Sequence, residues 1–177
     1  MKRILLTLAI MASISSTYAI TPKILFYGYV EQGNIETLIA KNETSPRLSQ
    51  VEVTVNHGNE EVRAVKNRKT GFYSLILDVG KTYQVKFEKE GFITKIFEID
   101  GSNIPEGNYD EAFKMFTDIK LFPITNAEDE QTLWSRPVAK CSFQAKTKSL
   151  VWDKEYAQVA FDNSLQIAAI KNDLTVK

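Results

Sequence analysis

The sequence predicts an all-β protein: a seven-stranded antiparallel β-sandwich carrying a C-terminal hairpin and an amphipathic helix. Three observations lead there. Apolar residues recur with a period of two from Lys23 onward, the mark of strands with one buried face. Turn residues punctuate that pattern at a spacing of roughly 8–12 residues, as in sandwich folds. The composition is 44% hydrophobic, 11% aromatic and 25% charged, which suits a packed domain and not a disordered chain. A chain of 177 residues holds one domain and a modest appendage, and its core needs no disulfide support.

The first residues stand apart from the fold. Lys2 and Arg3 precede a mostly apolar run from Ile4 to Ile10, and small polar residues lead through Thr17 and Tyr18 to Ala19. This is the layout of a cleavable secretory signal peptide over residues 1–19. The apolar run is too short for a permanent membrane anchor, and no later run is long enough to span a bilayer. The expected mature chain is soluble and begins near Ile20.

Residues 20–125 are expected to form the sandwich. Lys23 to Val30 is the first strand, and a long polar connection runs from Gly33 to Gln50. Val51, Val53 and Val55 alternate with Glu52, Thr54 and Asn56, which marks a strand. Glu60 to Lys66 follows, then a turn from Asn67 to Gly71 and a strand from Phe72 to Leu77. Tyr83, Val85 and Phe87 alternate with Gln84, Lys86 and Glu88. Phe92 to Ile99 and Met115 to Leu121 complete the set, separated by a crossing connection with a short helical turn over 108–113. The alternation assigns Val53, Val55, Tyr73, Leu75, Tyr83, Val85, Ile96 and Ile119 to the core.

Residues 126–177 have a different texture. Asn126 to Gln131 reads as a linker, and Val138 to Phe143 with Ser149 to Trp152 as a hairpin. Asp153 is a good N-cap for an amphipathic helix from Lys154 to about Lys171. Tyr156, Val159, Ile167 and Ile170 form its apolar stripe.

The segments Val51 to Val55, Thr70 to Ser74 and Gly80 to Phe92 resemble the carboxypeptidase regulatory-like domain, whose fold is a prealbumin-like (transthyretin-like) sandwich. Ile99-Asp100, Ile104 to Glu106 and Phe116 to Phe122 are similar to the version found in exported proteins of Bacteroidetes. Arg136 to Lys140 and Trp152 to Tyr156 resemble the tail that follows it. The likeness covers Lys23 to Tyr156, except that Leu38 to Gln50 is longer than the usual first connection. It implies a non-catalytic companion role, since that domain stands beside an enzyme and is not one.

Chemistry is sparse in the chain. Lys and Arg number 22 and Asp and Glu 22, and interspersed signs argue against a nucleic-acid surface. His57 is the one histidine and Cys141 the one cysteine, too few for a zinc site and far apart for a catalytic pair. The transthyretin-like hydrolases need several histidines, so their activity is excluded. Glu128 to Glu130 and the Asp110-Glu111 pair could ligate calcium but lack a spaced loop. They read as solvated surface. Catalytic, cofactor and metal residues are therefore assigned to none.

Trp134 and Trp152 could form a sugar-stacking platform or pack the fold. Tyr156, Val159, Ile167 and Ile170 must cover something, either the sandwich or a partner: an envelope protein or a second copy. The function these readings favour is a non-enzymatic exported binding or scaffold module of the bacterial cell envelope. It would sit in the periplasm or at the outer-membrane periphery, or be secreted. A carbohydrate-binding module is the alternative, and a small hydrolase the third.

Overall fold

The structure is a computed structural model that describes residues 22–33, 45–107, 109, 111–124 and 136–160. It is an all-β sandwich. Ten strands form two sheets. They are β1 (Lys23–Gln32), β2 (Glu52–His57), β3 (Glu60–Lys66), β4 (Phe72–Asp78), β5 (Thr82–Glu88), β6 (Lys95–Asp100), β7 (Phe113–Phe116), β8 (Ile119–Leu121), β9 (Ala139–Gln144) and β10 (Ser149–Trp152). One sheet runs β4-β1-β7 with β8 also on β1, and the other runs β10-β9-β6-β5-β2-β3. A helix, α1, spans 154–160.

The strands form where alternation is cleanest. Val53, Val55, Tyr83, Val85, Phe87, Tyr73, Leu75 and Leu77 are all buried between the sheets. They meet Ile24, Phe26 and Val30 of β1, and Met115, Ile119 and Leu121 of β7 and β8. Seven of the eight expected core residues are buried; Ile96 is not. Phe97 and Ile99 take the inner face of β6 instead. Phe92-Ile93-Thr94-Lys95-Ile96-Phe97 has apolar residues in both phases, so the pattern does not fix which phase is inside. The strand begins only at Lys95, and Phe92 makes an isolated bridge to Pro123.

The pairing is mixed where the sequence predicts it to be antiparallel. β1 runs parallel to β7 and β8, and β6 runs parallel to β9. The segment between β6 and β7 is long enough to cross between sheets, which parallel pairing on β1 requires. The expected helical turn over 108–113 ends inside strand, since Phe113 opens β7; residues 108 and 110 lie outside the described residues.

The strand expected over Met115 to Leu121 is broken at Thr117 and Asp118. The cause is a close crossing. Thr117 N donates to the Tyr27 carbonyl at 2.9 Å, and Tyr29 N donates to Asp118 Oδ1 at 3.0 Å, so a side chain replaces one rung of the ladder. A Cβ on Gly28 would lie 2.0 Å from the Thr117 carbonyl oxygen. Tyr73 Oη also donates to that oxygen, at 2.8 Å.

Asn67 fastens the other end. Its Oδ1 accepts from Val51 N at 2.9 Å, and its Nδ2 donates to the carbonyls of Leu48 and Gly71 at 2.7 and 3.1 Å. Buried backbone groups of three segments thus find partners in one side chain.

The hairpin β9–β10 extends the larger sheet through its pairing with β6. Asp153 caps α1 as the sequence predicts, accepting from Tyr156 N at 2.9 Å. Residues 161–177 lie outside the described residues, so the predicted extent of the helix to Lys171 does too.

Two substitutions test these constraints. Gly28→Ala forces a methyl group into a backbone oxygen and should destabilise the fold by about 3 kcal/mol. Asn67→Ala leaves buried groups unpaired and should cost about 3 kcal/mol. Urea unfolding measures both, and a loss under about 0.5 kcal/mol, the scale of ordinary surface changes, would refute the corresponding contact.

Candidate functional site

In a strand, side chains alternate between faces, so β1 sends Ile24, Phe26 and Val30 inward and Leu25, Tyr27 and Tyr29 outward. An ordinary outer face would be polar. This one is not. On β4, Phe72 and Ile76 point outward beside Tyr29 and Leu25, and on β7, Phe116 stands beside Tyr27. Tyr29 and Phe72 pack edge to face at 5.5 Å, as do Tyr27 and Phe116. Ile76 is 59% exposed and Phe116 55%. The result is a contiguous apolar strip across the smaller sheet.

Cations rim the strip. The Arg47 guanidinium lies 3.3 Å from the Tyr29 ring centroid, and that of Arg68 lies 5.3 Å from Phe72. Neither has a carboxylate at ion-pair distance among the described residues. Lys23 pairs with Asp78 at 2.6 Å and Lys114 with Glu111 at 2.7 Å. Stacked arginines keep a ring surface partly desolvated while leaving donors free for an incoming acceptor. Among the described residues, this face holds no nucleophile paired with a base.

The residues singled out in the sequence lie elsewhere. Trp152 is half-buried and stacks edge to face on Phe26 and Phe97, at 6.2 and 5.9 Å, so its ring packs the core. Tyr156 sits on the outer side of the larger sheet. Its hydroxyl donates to the Pro137 carbonyl at 2.8 Å, and Lys140 Nζ lies 5.0 Å from its ring. The start of α1 therefore docks on its own hairpin. Val159 is exposed. Trp134, Ile167 and Ile170 lie outside the described residues, as do Asp110 and the acidic run from Glu128 to Glu130.

His57 is exposed and its Nδ1 donates to the Thr82 carbonyl at 2.9 Å. Cys141 is buried against Met115, with Sγ and Sδ 3.6 Å apart. Burial, aided by the Asp100 charge, pushes its thiol up to about 12, which leaves it inert. Among the described residues, no three of the His, Cys, Asp and Glu side chains gather as a metal site would need.

Sequence reasoning missed Lys95. It occupies the inward phase of β6, in step with Phe97 and Ile99, and its Nζ lies 4.7 Å from the Phe122 ring. Desolvation, with Lys120 repelling it, lowers its pKa to about 8. The signal was present as a lysine in the core phase of an alternating strand. Reading Ile96 as the inner residue concealed it.

Comparisons with known proteins add no identity. No family model matches the chain, and no curated protein does. Among solved structures, the chain is similar to the Bacillus anthracis TIE protein, at 13% identity and a TM-score of 0.37, over 57% of this chain and 18% of that one. It is also similar to 3-chlorocatechol 1,2-dioxygenase from Rhodococcus opacus 1CP, at 11% identity and a TM-score of 0.40, over 61% of this chain and 62% of that one. The chain thus spans less than two thirds of either, and similarity this weak carries no functional argument.

Lys95 yields a pH prediction. Its folded pKa of about 8 lies below the ordinary 10.5, so the unfolded chain holds that proton more tightly. This group's penalty is full below about pH 8 and is relieved as pH rises toward 10.5. Lys95→Met should therefore raise the melting temperature at pH 7, and its advantage should shrink between pH 8 and 10.5. Taking the difference between variant and wild type cancels the opposing contributions of Cys141 and Tyr73, whose pKa values are raised. A variant less stable at pH 7 would show that the amine is stabilising where it lies.

Proposed function

We propose that the protein is a non-enzymatic binding or scaffold module of the bacterial cell envelope, exported by its N-terminal segment, that binds through the outer face of its four-stranded sheet. One observation carries the reading: Leu25, Tyr27, Tyr29, Phe72, Ile76 and Phe116 make a continuous apolar strip on a face that alternation would otherwise make polar. Contiguous exposed apolar surface of this kind marks interaction sites, whereas scattered apolar residues do not. Aromatic and arginine side chains are also the types that dominate binding energy at protein interfaces.

Two further features support a binding role over catalysis. His57, Cys141 and Lys95 stand apart on different elements, so none of these three is activated by another. The resemblance to the carboxypeptidase regulatory-like domain also favours a companion role. The exposed Phe116 ring favours carbohydrate binding as the second reading, because an aromatic face can stack on an apolar sugar face. Arg47 over Tyr29 limits that reading, since it occupies a ring face a sugar would need.

The double variant Ile76→Ser, Phe116→Ser decides between them. Both side chains are exposed, so stability should change by no more than about 1 kcal/mol. Binding of an envelope protein, followed by cross-linking from this face, should be lost in the variant and kept in a Lys86→Ser control on the opposite sheet. Retention on a glycan array that depends on Phe116 would install the carbohydrate reading instead. A wild-type protein that turns over ester, peptide or glycoside substrates would overturn the non-enzymatic one.

A further inference from the structure

We propose that the chain self-associates through the free edge of β4, two copies pairing antiparallel about Ser74 to join their four-stranded sheets into one. The argument starts from backbone direction. Val30 N donates to the Gly71 carbonyl, so the residues of β4 in step with Gly71, namely Tyr73, Leu75 and Leu77, turn their backbone groups toward β1. Phe72, Ser74 and Ile76 turn theirs away. The Phe72 carbonyl accepts from Arg68 N. Nothing among the described residues pairs with the N–H and C=O of Ser74 and Ile76.

Exposed edges are ordinarily blunted by charge, proline or a bulge. Of the two edge strands of the other sheet, β3 follows that rule with Glu60, Glu61, Arg63 and Lys66 and a bulge in its register with β2, whereas β10 is only four residues long. β4 has a charge only at its last residue, Asp78. From Phe72 to Leu77 it carries no charge and no proline, and its pairing with β1 is regular throughout.

The strand is also complementary to itself. Antiparallel pairing with Ser74 opposite Ser74 of a second copy sets each Phe72 against the other copy's Ile76. The Ser74 pair is then fully hydrogen-bonded, while each Phe72–Ile76 pair adds only the bond from the Phe72 amide to the Ile76 carbonyl, because the Phe72 carbonyl already accepts from Arg68 N. The exposed Ile76 side chain gains a ring to cover it. The charged ends match as well: Asp78 of each copy falls opposite Thr70 and beside Arg68 and Lys69 of the other. Arg68 has no carboxylate partner within its own chain among the described residues. The joined sheet would present two copies of the aromatic strip side by side. The inference rests on the proposed binding face for its use but not for its test, because a dimer can be seen with no partner present.

Sedimentation velocity on the purified protein, over a range of concentrations, should show a monomer–dimer equilibrium. Ser74→Pro removes the central donor without touching the β1 pairing, since that N–H points away from β1. Ile76→Lys places a charge on the joined edge. Each should raise the dimer dissociation constant by about a hundredfold or more while the monomer keeps its circular dichroism spectrum. Val62→Lys on β3 should change nothing. Ser74→Cys gives a positive readout: facing Cα atoms in a hydrogen-bonded pair lie about 5.5 Å apart, within disulfide reach, so mild oxidation should link two chains at this residue alone. A protein monomeric at high micromolar concentration, a dimer indifferent to both Ile76→Lys and Ser74→Pro, or failure of Ser74→Cys to cross-link would overturn the proposal. If Ser74→Pro does not fold, Ile76→Lys and the cross-link decide.

Discussion

The fold depends on one buried ring. Phe26 sits at the middle of β1, the strand that pairs with β4, β7 and β8. It meets Tyr73 at 5.3 Å, Phe87 at 6.4 Å, Phe97 at 6.5 Å and Trp152 at 6.2 Å. Those partners come from β4, β5, β6 and β10, so one side chain couples both sheets and the C-terminal hairpin. Burying a phenyl ring stabilises by roughly 1.5–3 kcal/mol, and edge-to-face pairs add about 0.5–1.5 kcal/mol each, non-additively. Coupling matters more than the sum. The hairpin cannot leave without exposing a face of Phe26 and Phe97.

Where apolar packing ends, polar groups close the backbone account. β1 carries too many partners for a regular ladder along its whole length, and the path through Thr117 and Asp118 is where the ladder fails. Gly28 lets the two backbones approach, and the Asp118 carboxylate receives the amide of Tyr29 that would otherwise lack a partner. Tyr73 joins this knot from β4, and burial with the Asp118 charge nearby holds its hydroxyl protonated, so it stays a donor to the Thr117 carbonyl. At the far end Asn67 does the same for Val51, Leu48 and Gly71. Both devices place a hydrogen-bonding side chain where two strands stop running side by side.

Much of the fold was legible because β4 and β5 alternate cleanly between core and solvent, and β2 alternates in sequence although Thr54 is buried as well. β6 misled because apolar residues occupy both phases, and the inner one contains a lysine. The parallel pairings were not legible: local pattern sets the face of a strand but not the neighbour it chooses, and β9 joins β6 across the whole stretch from Gly101 to Val138. The candidate site was hidden for a related reason. Tyr27 and Tyr29 read as ordinary strand aromatics until the topology sets them beside Phe116 and Phe72. Of the residues that drew notice by type, Trp152 and Tyr156 are held by the core and by the hairpin.

The two sheets share a core and differ on their outer faces, and that difference is the strongest physical statement about function. The larger sheet shows water what strands usually show: Lys86 paired with Glu88 at 2.8 Å, and Lys140 with Glu98 at 3.0 Å. Such pairs contribute little stability, but they make the surface compatible with solvent. The smaller sheet sets Leu25, Tyr27, Tyr29, Phe72, Ile76 and Phe116 there around Ser74 and Lys114, whereas the exposed apolar residue of the larger sheet's strands is Val62. Those side chains add nothing to the shared core, because they point away from it, and a polar set would fold as well. Leaving Ile76 and Phe116 in water has a solubility cost with no folding return. Stability does not account for the asymmetry, and this supports the proposed binding through the smaller sheet's outer face.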